Sequence, residues 1–102
     1  MFQELDGPSK QDKITITAAT PVRVKVGSTE LNGRQVITIQ PLTGTCRVYF
    51  ADDNESPSAA TVLAKGFKQR KEGIRTYEAS STQWVYILSE SGSIDVIIAE
   101  RA

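Results

Sequence analysis

The sequence predicts an all-β protein that folds as an antiparallel β-sandwich of about seven or eight short strands. Val and Ile together number 17 and Thr adds 10, against only 5 Leu. β-branched side chains lose rotamer freedom in helices and pack well on a pleated sheet. Apolar and polar residues also alternate along the chain, and turn-forming residues separate the alternating segments. A jelly-roll or immunoglobulin-like sandwich fits this pattern, and a small barrel is the alternative.

Seven segments carry the alternation, and each is interpreted as a strand. They are 13–17, 22–26, 37–40, 45–50, 74–78, 84–88 and 94–98. The segment 84–88 is apolar at every position, which predicts a central strand covered on both faces. Asn32-Gly33 and Ser91-Gly92 can adopt the positive φ angles of tight turns between strands.

One segment, 58–70, is the best candidate for a helix. It contains several alanines, but Gly66 interrupts it and its basic residues cluster after that glycine. No window of about 12 residues shows the 3.6-residue apolar period of an amphipathic helix. The sequence therefore favours a protein without a helix.

The first twelve residues differ from the rest of the chain. Residues 1–12 show no alternation and contain Gly7-Pro8, so we interpret them as an N-terminal arm that is free in solution or docked on a partner. Residues 13–102 are expected to form a single sandwich domain. The chain starts without the basic and apolar stretches of a secretory signal, and the apolar run 84–88 is too short to span a bilayer. We expect a protein made in a reducing cytoplasm, without membrane contact.

The composition excludes several kinds of active site. The chain has 12 basic and 12 acidic residues, no histidine and one cysteine. A His-dependent triad, a Cys–His pair, an ordinary zinc site and an internal disulfide are thereby excluded. Cys46 alternates in phase with Val48 and Phe50, so it should point into the core as a small hydrophobe. We therefore expect a non-enzymatic protein that uses no cofactor or metal.

An acidic loop is the first candidate for a binding function. Residues 52–56 place oxygen-bearing side chains at the alternate positions of a calcium loop. However, Pro57 and Leu63 stand where an EF-hand needs glycine and glutamate. The sequence favours a solvated loop here, with a looser ion site as the alternative.

A basic segment is the second candidate. Residues 65–75 hold five of the twelve cations, and only Glu72 opposes them. Such a segment could contact a phosphate backbone, but zero net charge gives no overall field that attracts nucleic acid. Single-strand binders also present several stacking aromatics, whereas only Phe67 is interleaved here. The sequence favours a solvated turn or a contact with an acidic neighbour, and nucleic acid is not the expected partner.

Aromatic residues suggest a third candidate. Trp84 and Tyr86, together with Tyr49, could stack on a sugar as aromatic platforms do. In the most apolar segment of the chain, core positions are the more common role for such residues. A carbohydrate-binding module is therefore kept as an alternative function.

Three segments carry a further pattern: LNGRQVITIQ at 31–40, CRVYF at 46–50 and WVYILSESGSIDV at 84–96. Together they resemble a group of small virion proteins of tailed bacteriophages. That group has a Gly-Arg turn, strands similar to LTIQN and VYVG, and an aromatic strand joined by a Ser-Gly turn to a short apolar strand. The chain departs from the pattern after Phe50, where a charged loop begins, and in the basic residues of 65–71.

The resemblance implies a non-enzymatic β-sandwich in the virion that decorates or joins parts of the particle. The first expectation is a capsid decoration or cement subunit, bound to other virion proteins as a homo-oligomer or ordered array, and a collar or tail component is the alternative. The opposed charge blocks predict which residues meet at subunit contacts. The predicted interface residues are Asp52, Asp53, Glu55, Arg70, Lys71 and Arg75, with Phe2 and Leu5 as apolar anchors of the arm.

Overall fold

The computed structural model describes residues 9–52 and 55–102, which form eight strands and one helix. The strands are β1 (Ser9–Ile16), β2 (Val22–Arg23), β3 (Val36–Pro41), β4 (Cys46–Phe50), β5 (Phe67–Gln69), β6 (Arg75–Glu78), β7 (Val85–Ser89) and β8 (Ile94–Arg101). The helix, α1 (Ala59–Lys65), lies between β4 and β5 in the chain. Each of the seven alternating segments overlaps one strand, and β5 is a strand that the alternation did not predict.

The strands form two antiparallel four-stranded sheets, in the orders β1-β8-β3-β6 and β2-β7-β4-β5. Consecutive strands lie in different sheets, except for β4 and β5. This order is that of a jelly roll rather than of an immunoglobulin domain. The sheets keep separate edge strands and do not close into a barrel. The predicted sandwich is therefore confirmed, and the barrel alternative is wrong.

The core lies between the sheets and consists of alternate positions on the strands. Val48 of β4, for example, pairs with Ile87 of β7 in one sheet, and Ile39 pairs with Ile98 in the other. The buried cluster comprises Ile16, Val24, Ile37, Ile39, Cys46, Val48, Ala79, Val85, Ile87, Ile94, Val96 and Ile98. Because side chains alternate between the two faces of a strand, period-two apolar residues line the inside of both sheets. The core position predicted for Cys46 is confirmed.

Strand β7 is covered on both faces, as the run 84–88 predicted. All five of its residues are buried. Ile87 belongs to the core between the sheets, whereas Leu88 and Val62 of α1 are fully buried outside that core cluster. Since α1 packs against β4 and β7, the helix covers the outer face of this sheet.

The prediction of a chain without a helix is wrong, because a short helix forms within the candidate segment 58–70. Ser58 caps its start by accepting a hydrogen bond from the Thr61 backbone N–H at 3.2 Å. Gly66, the interruption seen in the sequence, ends it and donates to the Val62 carbonyl at 2.8 Å. Seven residues are too few for a helix that is stable alone, so burial of Val62 against the sheet stabilises it. Within the described ranges, no helix is long and apolar enough to cross a bilayer.

The predicted boundary between arm and domain at residue 12 is also wrong. Residues 9–12 form the first half of β1 and pair with the end of β8, from Ser9 opposite Arg101 to Asp12 opposite Ile98. These residues are exposed on an edge strand, so no apolar alternation marks them. The remainder of the predicted arm, with the interface candidates Phe2 and Leu5, lies outside the described residues.

Candidate functional site

Among residues 9–52 and 55–102, the core cluster between the two sheets holds one group that could react, the thiol of Cys46. Its clustered side chains are apolar, and no group of three or more His, Cys, Asp or Glu could hold a metal ion there. Burial, with a smaller contribution from Glu90, raises the pKa of Cys46 from 9.0 to about 12. The thiol is therefore protonated at neutral pH, whereas a nucleophilic cysteine must be a thiolate.

Two oppositely charged side chains are completely buried at one end of the sandwich. Arg34 follows a turn in which Gly33 has a φ of 74°. Glu100 lies on β8 in phase with Ile98, on the inward face. Arg34 Nη1 lies 2.9 Å from Glu100 Oε2, and neither side chain is exposed. This pair was not predicted, although Glu100 stands out in the sequence because it continues the apolar phase of β8.

Every N–H of the Arg34 guanidinium has an acceptor. The acceptors, at 2.7–3.1 Å, are the carbonyl oxygens of Val24, Ala79, Ser80 and Gln83 and the carboxylate of Glu100. Glu100 also accepts from the backbone N–H groups of Val26 and Leu31. The pair thus fastens two loops, the one between β2 and β3 and the one between β6 and β7, to β8. A shallow cleft of about 380 Å³ lies beside Arg34, but the guanidinium has no N–H left for a ligand.

The acidic loop is partly held by its own contacts. Glu55 Oε1 accepts hydrogen bonds from the Tyr49 hydroxyl at 2.9 Å and from the Asp52 backbone N–H at 3.1 Å. The hydrogen bond to Glu55 is the main reason that the pKa of Tyr49 is raised. Asp52 is exposed, whereas Asp53 lies outside the described residues. Within the described part of the chain, no salt bridge joins this loop to the basic segment.

The basic residues lie along one side of the sandwich, where β5 and β6 are the edge strands of the two sheets. We call residues 67–75 the basic flank: they comprise β5, the following turn and the first residue of β6. Arg70, Lys71 and Arg75 are exposed, and none of them forms a salt bridge with a described residue. Lys68 lies 3.8 Å from Glu90, which also pairs with Arg47 at 2.5 Å.

The basic flank also carries the most exposed large apolar side chains among the described residues. Phe67 is 64% exposed and Ile74 is 65% exposed, whereas Leu63 on α1 is next at 39%. The Phe67 ring lies edge-on to Phe50, with centroids 6.5 Å apart. In the alternating segment 74–78, only Tyr77 packs against the core.

A buried amide fixes the turn of the basic flank. Gln69 is only 1% exposed, and its Nε2 donates to the carbonyl oxygens of Ile39 at 2.6 Å and Gly73 at 2.8 Å. Its Oε1 accepts from the Tyr77 hydroxyl at 3.0 Å. Burial raises the pKa of Tyr77, and the nearby Arg75 opposes that shift. The turn is therefore tied to β3 and β6 of the opposite sheet.

Three aromatic residues, Trp84, Tyr86 and Tyr49, lie on the outer face of the β2-β7-β4-β5 sheet. Tyr86 is the cross-strand partner of both Tyr49 and Arg23. The Arg23 guanidinium carbon lies 4.0 Å from the Trp84 ring centroid, and Arg23 Nε lies 2.7 Å from a Glu30 oxygen. Tyr86 is only 7% exposed. A sugar would therefore have to displace Arg23 to stack on that face of Trp84.

The sequence matches no protein-family model and no curated protein. Among solved structures, an HTH_3 family transcriptional regulator from Vibrio cholerae aligns over 95% of this chain and 44% of its own, with 12% identity and a TM-score of 0.62. The cupin domain of Schizosaccharomyces pombe Cnp3 aligns over 100% and 61%, with 13% identity and a TM-score of 0.57. A cupin superfamily protein from Desulfitobacterium hafniense aligns over 97% and 71%, with 10% identity and a TM-score of 0.53.

These comparisons establish the fold. The chain spans less than half of the transcriptional regulator and about three fifths of the Cnp3 domain. At such low identities the likeness concerns the fold alone. The protein is an antiparallel β-sandwich with the strand order of a jelly roll, similar to these cupin domains.

Proposed function

We propose that the protein is a non-enzymatic structural subunit of a tailed-bacteriophage virion, and that it binds other virion proteins as a capsid decoration or cement subunit. The observation that carries this proposal is that some described polar groups are buried and bonded within the fold, whereas others are exposed on one side of it. Arg34, Glu100 and Gln69 are buried and bonded within the fold. In the basic flank, Arg70, Lys71 and Arg75 are exposed beside Phe67 and Ile74 and form no salt bridge with a described residue. Such an arrangement suits association rather than turnover.

The proposal of a virion comes from the sequence resemblance to small virion proteins of tailed bacteriophages. The segments that carry the resemblance overlap β3, β4, β7 and β8, which form the centre of both sheets, and the Gly33-Arg34 turn precedes β3. The pattern shared with the small virion proteins therefore includes the framework of the sandwich. Collar or tail attachment is the alternative position for the same kind of subunit. In either position, the protein would be made in the host cytoplasm and would act as a homo-oligomer or ordered array.

Locating the chain tests the proposal. Mass spectrometry of purified virions should detect it at a stoichiometry that matches a symmetric part of the particle. A density map of the same particles should then place the sandwich on the capsid surface, or at the collar or tail for the alternative. Purified virions that lack the chain would refute the proposal.

A carbohydrate-binding module is the second candidate, because Trp84, Tyr86 and Tyr49 lie together on one outer sheet face. In such a module, an oligosaccharide that displaces Arg23 should change the emission of Trp84, the only tryptophan. Arg23→Ala should then strengthen binding by uncovering the ring, with Lys25→Ala as the control. Emission that is unchanged in both variants across an oligosaccharide panel would exclude this candidate.

A further inference from the structure

The basic flank combines two features, a cluster of cations and two exposed apolar side chains. In nine residues it holds four cations, Lys68, Arg70, Lys71 and Arg75, and one carboxylate, Glu72. The same nine residues include the two most exposed large apolar side chains of the described chain, Phe67 and Ile74. Water solvates cations well, but it solvates a phenyl ring and a branched aliphatic chain poorly. A partner that binds the basic flank could therefore bury the two apolar side chains and pair its own carboxylates with the cations.

The flank is also held in one shape before any partner binds. Gln69 connects the turn to the carbonyl oxygens of Ile39 and Gly73. Glu72 adopts a positive φ of 66°, and its backbone N–H donates to the Pro41 carbonyl at 2.7 Å. A surface that is already ordered loses less conformational entropy on binding than a mobile loop does.

We propose that the basic flank is a docking site for a protein surface on which carboxylates surround an aliphatic or aromatic side chain. The carboxylates would pair with Arg70, Lys71 and Arg75, and the apolar side chain would pack against Ile74 and Phe67. Buried apolar contact supplies affinity, whereas opposite charges set orientation and association rate. This inference deepens the proposed function, because it names the surface and the partner chemistry by which such a subunit would attach.

A protein fits this surface better than a nucleic acid does. A phosphate backbone would neutralise the cations, but it offers no partner for a 65% exposed isoleucine. Phe67 could stack on a base, yet its ring already lies edge-on to Phe50. Single-strand binding surfaces use several aromatics in succession, and Phe67 is the only one between residues 65 and 75.

Fluorescence anisotropy with three labelled peptides tests the inference. Each peptide has Glu and Asp on both sides of one central residue, which is Leu, Phe or Ser. The full-length chain should bind the Leu and Phe peptides at least about tenfold more tightly than the Ser peptide, because burying such a side chain is worth that factor or more. Ile74→Ser should remove most of this preference, whereas Leu63→Ser, an exposed apolar position on α1, should retain it.

Charge reversal gives the matched control. The triple variant Arg70→Glu, Lys71→Glu, Arg75→Glu should lose binding to all three peptides. The triple variant Lys10→Glu, Lys13→Glu, Arg101→Glu changes the net charge equally at exposed positions on β1 and β8, and it should still bind. If the first triple fails to fold, Ile74→Ser alone carries the test.

Three results would overturn the inference: equal affinity for the Leu and Ser peptides, equal loss of binding in both triple variants, or tighter binding to a DNA duplex than to any peptide. The assay needs no virions. Its failure would therefore leave detection of the chain in purified particles unaffected, and absence from particles would leave the peptide result intact.

Discussion

Replacing Glu100 with glutamine should remove a large part of the protein's stability while leaving its shape almost unchanged. The Glu100 carboxylate accepts from three donors: the backbone N–H groups of Val26 and Leu31 and the guanidinium of Arg34. Glutamine has nearly the same volume, but one of its two terminal groups is a donor. Whichever way the amide turns, it presents an N–H to at least one of those donors.

The size of the effect follows from burial. Neither Arg34 nor Glu100 is exposed, so Glu100→Gln leaves the Arg34 charge without a counterion in a site that water does not reach. Removing one partner of a buried ion pair costs about 3–5 kcal/mol. The total free energy of unfolding of a small domain is about 5–15 kcal/mol. At about 4–8 °C per kcal/mol, the expected fall in Tm is at least about 12 °C.

Urea unfolding followed by the fluorescence of Trp84, the only tryptophan, measures this effect. The midpoint should fall while the slope with urea stays the same, because the folded shape is kept. Glu78→Gln is the matched control, since Glu78 is exposed on β6, and it should change stability by less than about 0.5 kcal/mol. A loss below about 1 kcal/mol for Glu100→Gln would show that the pair does not fasten the loops as described.

Three further predictions concern the core, the basic flank and the end of α1. Burial raises the pKa of Cys46 from 9.0 to about 12, so the folded state retains the thiol proton more tightly than the unfolded state does. The stabilisation that comes from this pKa difference is complete below pH 9 and is lost as the pH rises towards about 12. The free energy of unfolding should therefore decline over that range, and it should decline less steeply in Cys46→Ala. Identical pH profiles of the two proteins would contradict this prediction. Gln69→Leu should lower the free energy of unfolding, measured with urea, by about 1–3 kcal/mol, because the Tyr77 hydroxyl and the Ile39 carbonyl lose their hydrogen-bond partner. Adding Tyr77→Phe should restore part of this loss. Unchanged stability of Gln69→Leu would refute the prediction. Gly66→Ala should cost about 1–3 kcal/mol in the same assay, since its Cβ would lie 2.6 Å from the Val62 carbonyl oxygen, and a neutral result would be inconsistent with this turn.

Most of the fold could be predicted from local pattern. Alternation at Ile37 and Ile39, and again at Val85 and Ile87, reports which way each side chain points, and direction is a property of the strand itself. The helix was missed because its seven residues, although rich in alanine, are too few to show an amphipathic period, and a helix this short depends on packing against the sheet beneath Val62. Strand β5 was missed because its three residues are too few to show a period.

The candidate site was only partly predictable. The basic residues Arg70, Lys71 and Arg75 stood out by their density in the sequence, and the structure places them on exposed positions of one flank. Glu55 stood out as part of the acidic loop, but in the structure its carboxylate accepts a hydrogen bond from the Tyr49 hydroxyl. The exposure of Ile74 was not visible, because a branched apolar residue in an alternating segment is usually buried.

The sequence by itself determined the class of the fold, the absence of histidine chemistry and the concentration of cations in one segment. The tertiary structure decided the jelly-roll order of the strands, the pairing of Arg34 with Glu100 across 66 residues, and the neighbours of each exposed side chain. The physical reason is range. Backbone preference and side-chain direction act between adjacent residues, whereas sheet order and buried ion pairs depend on contacts that exist only after distant parts of the chain have met.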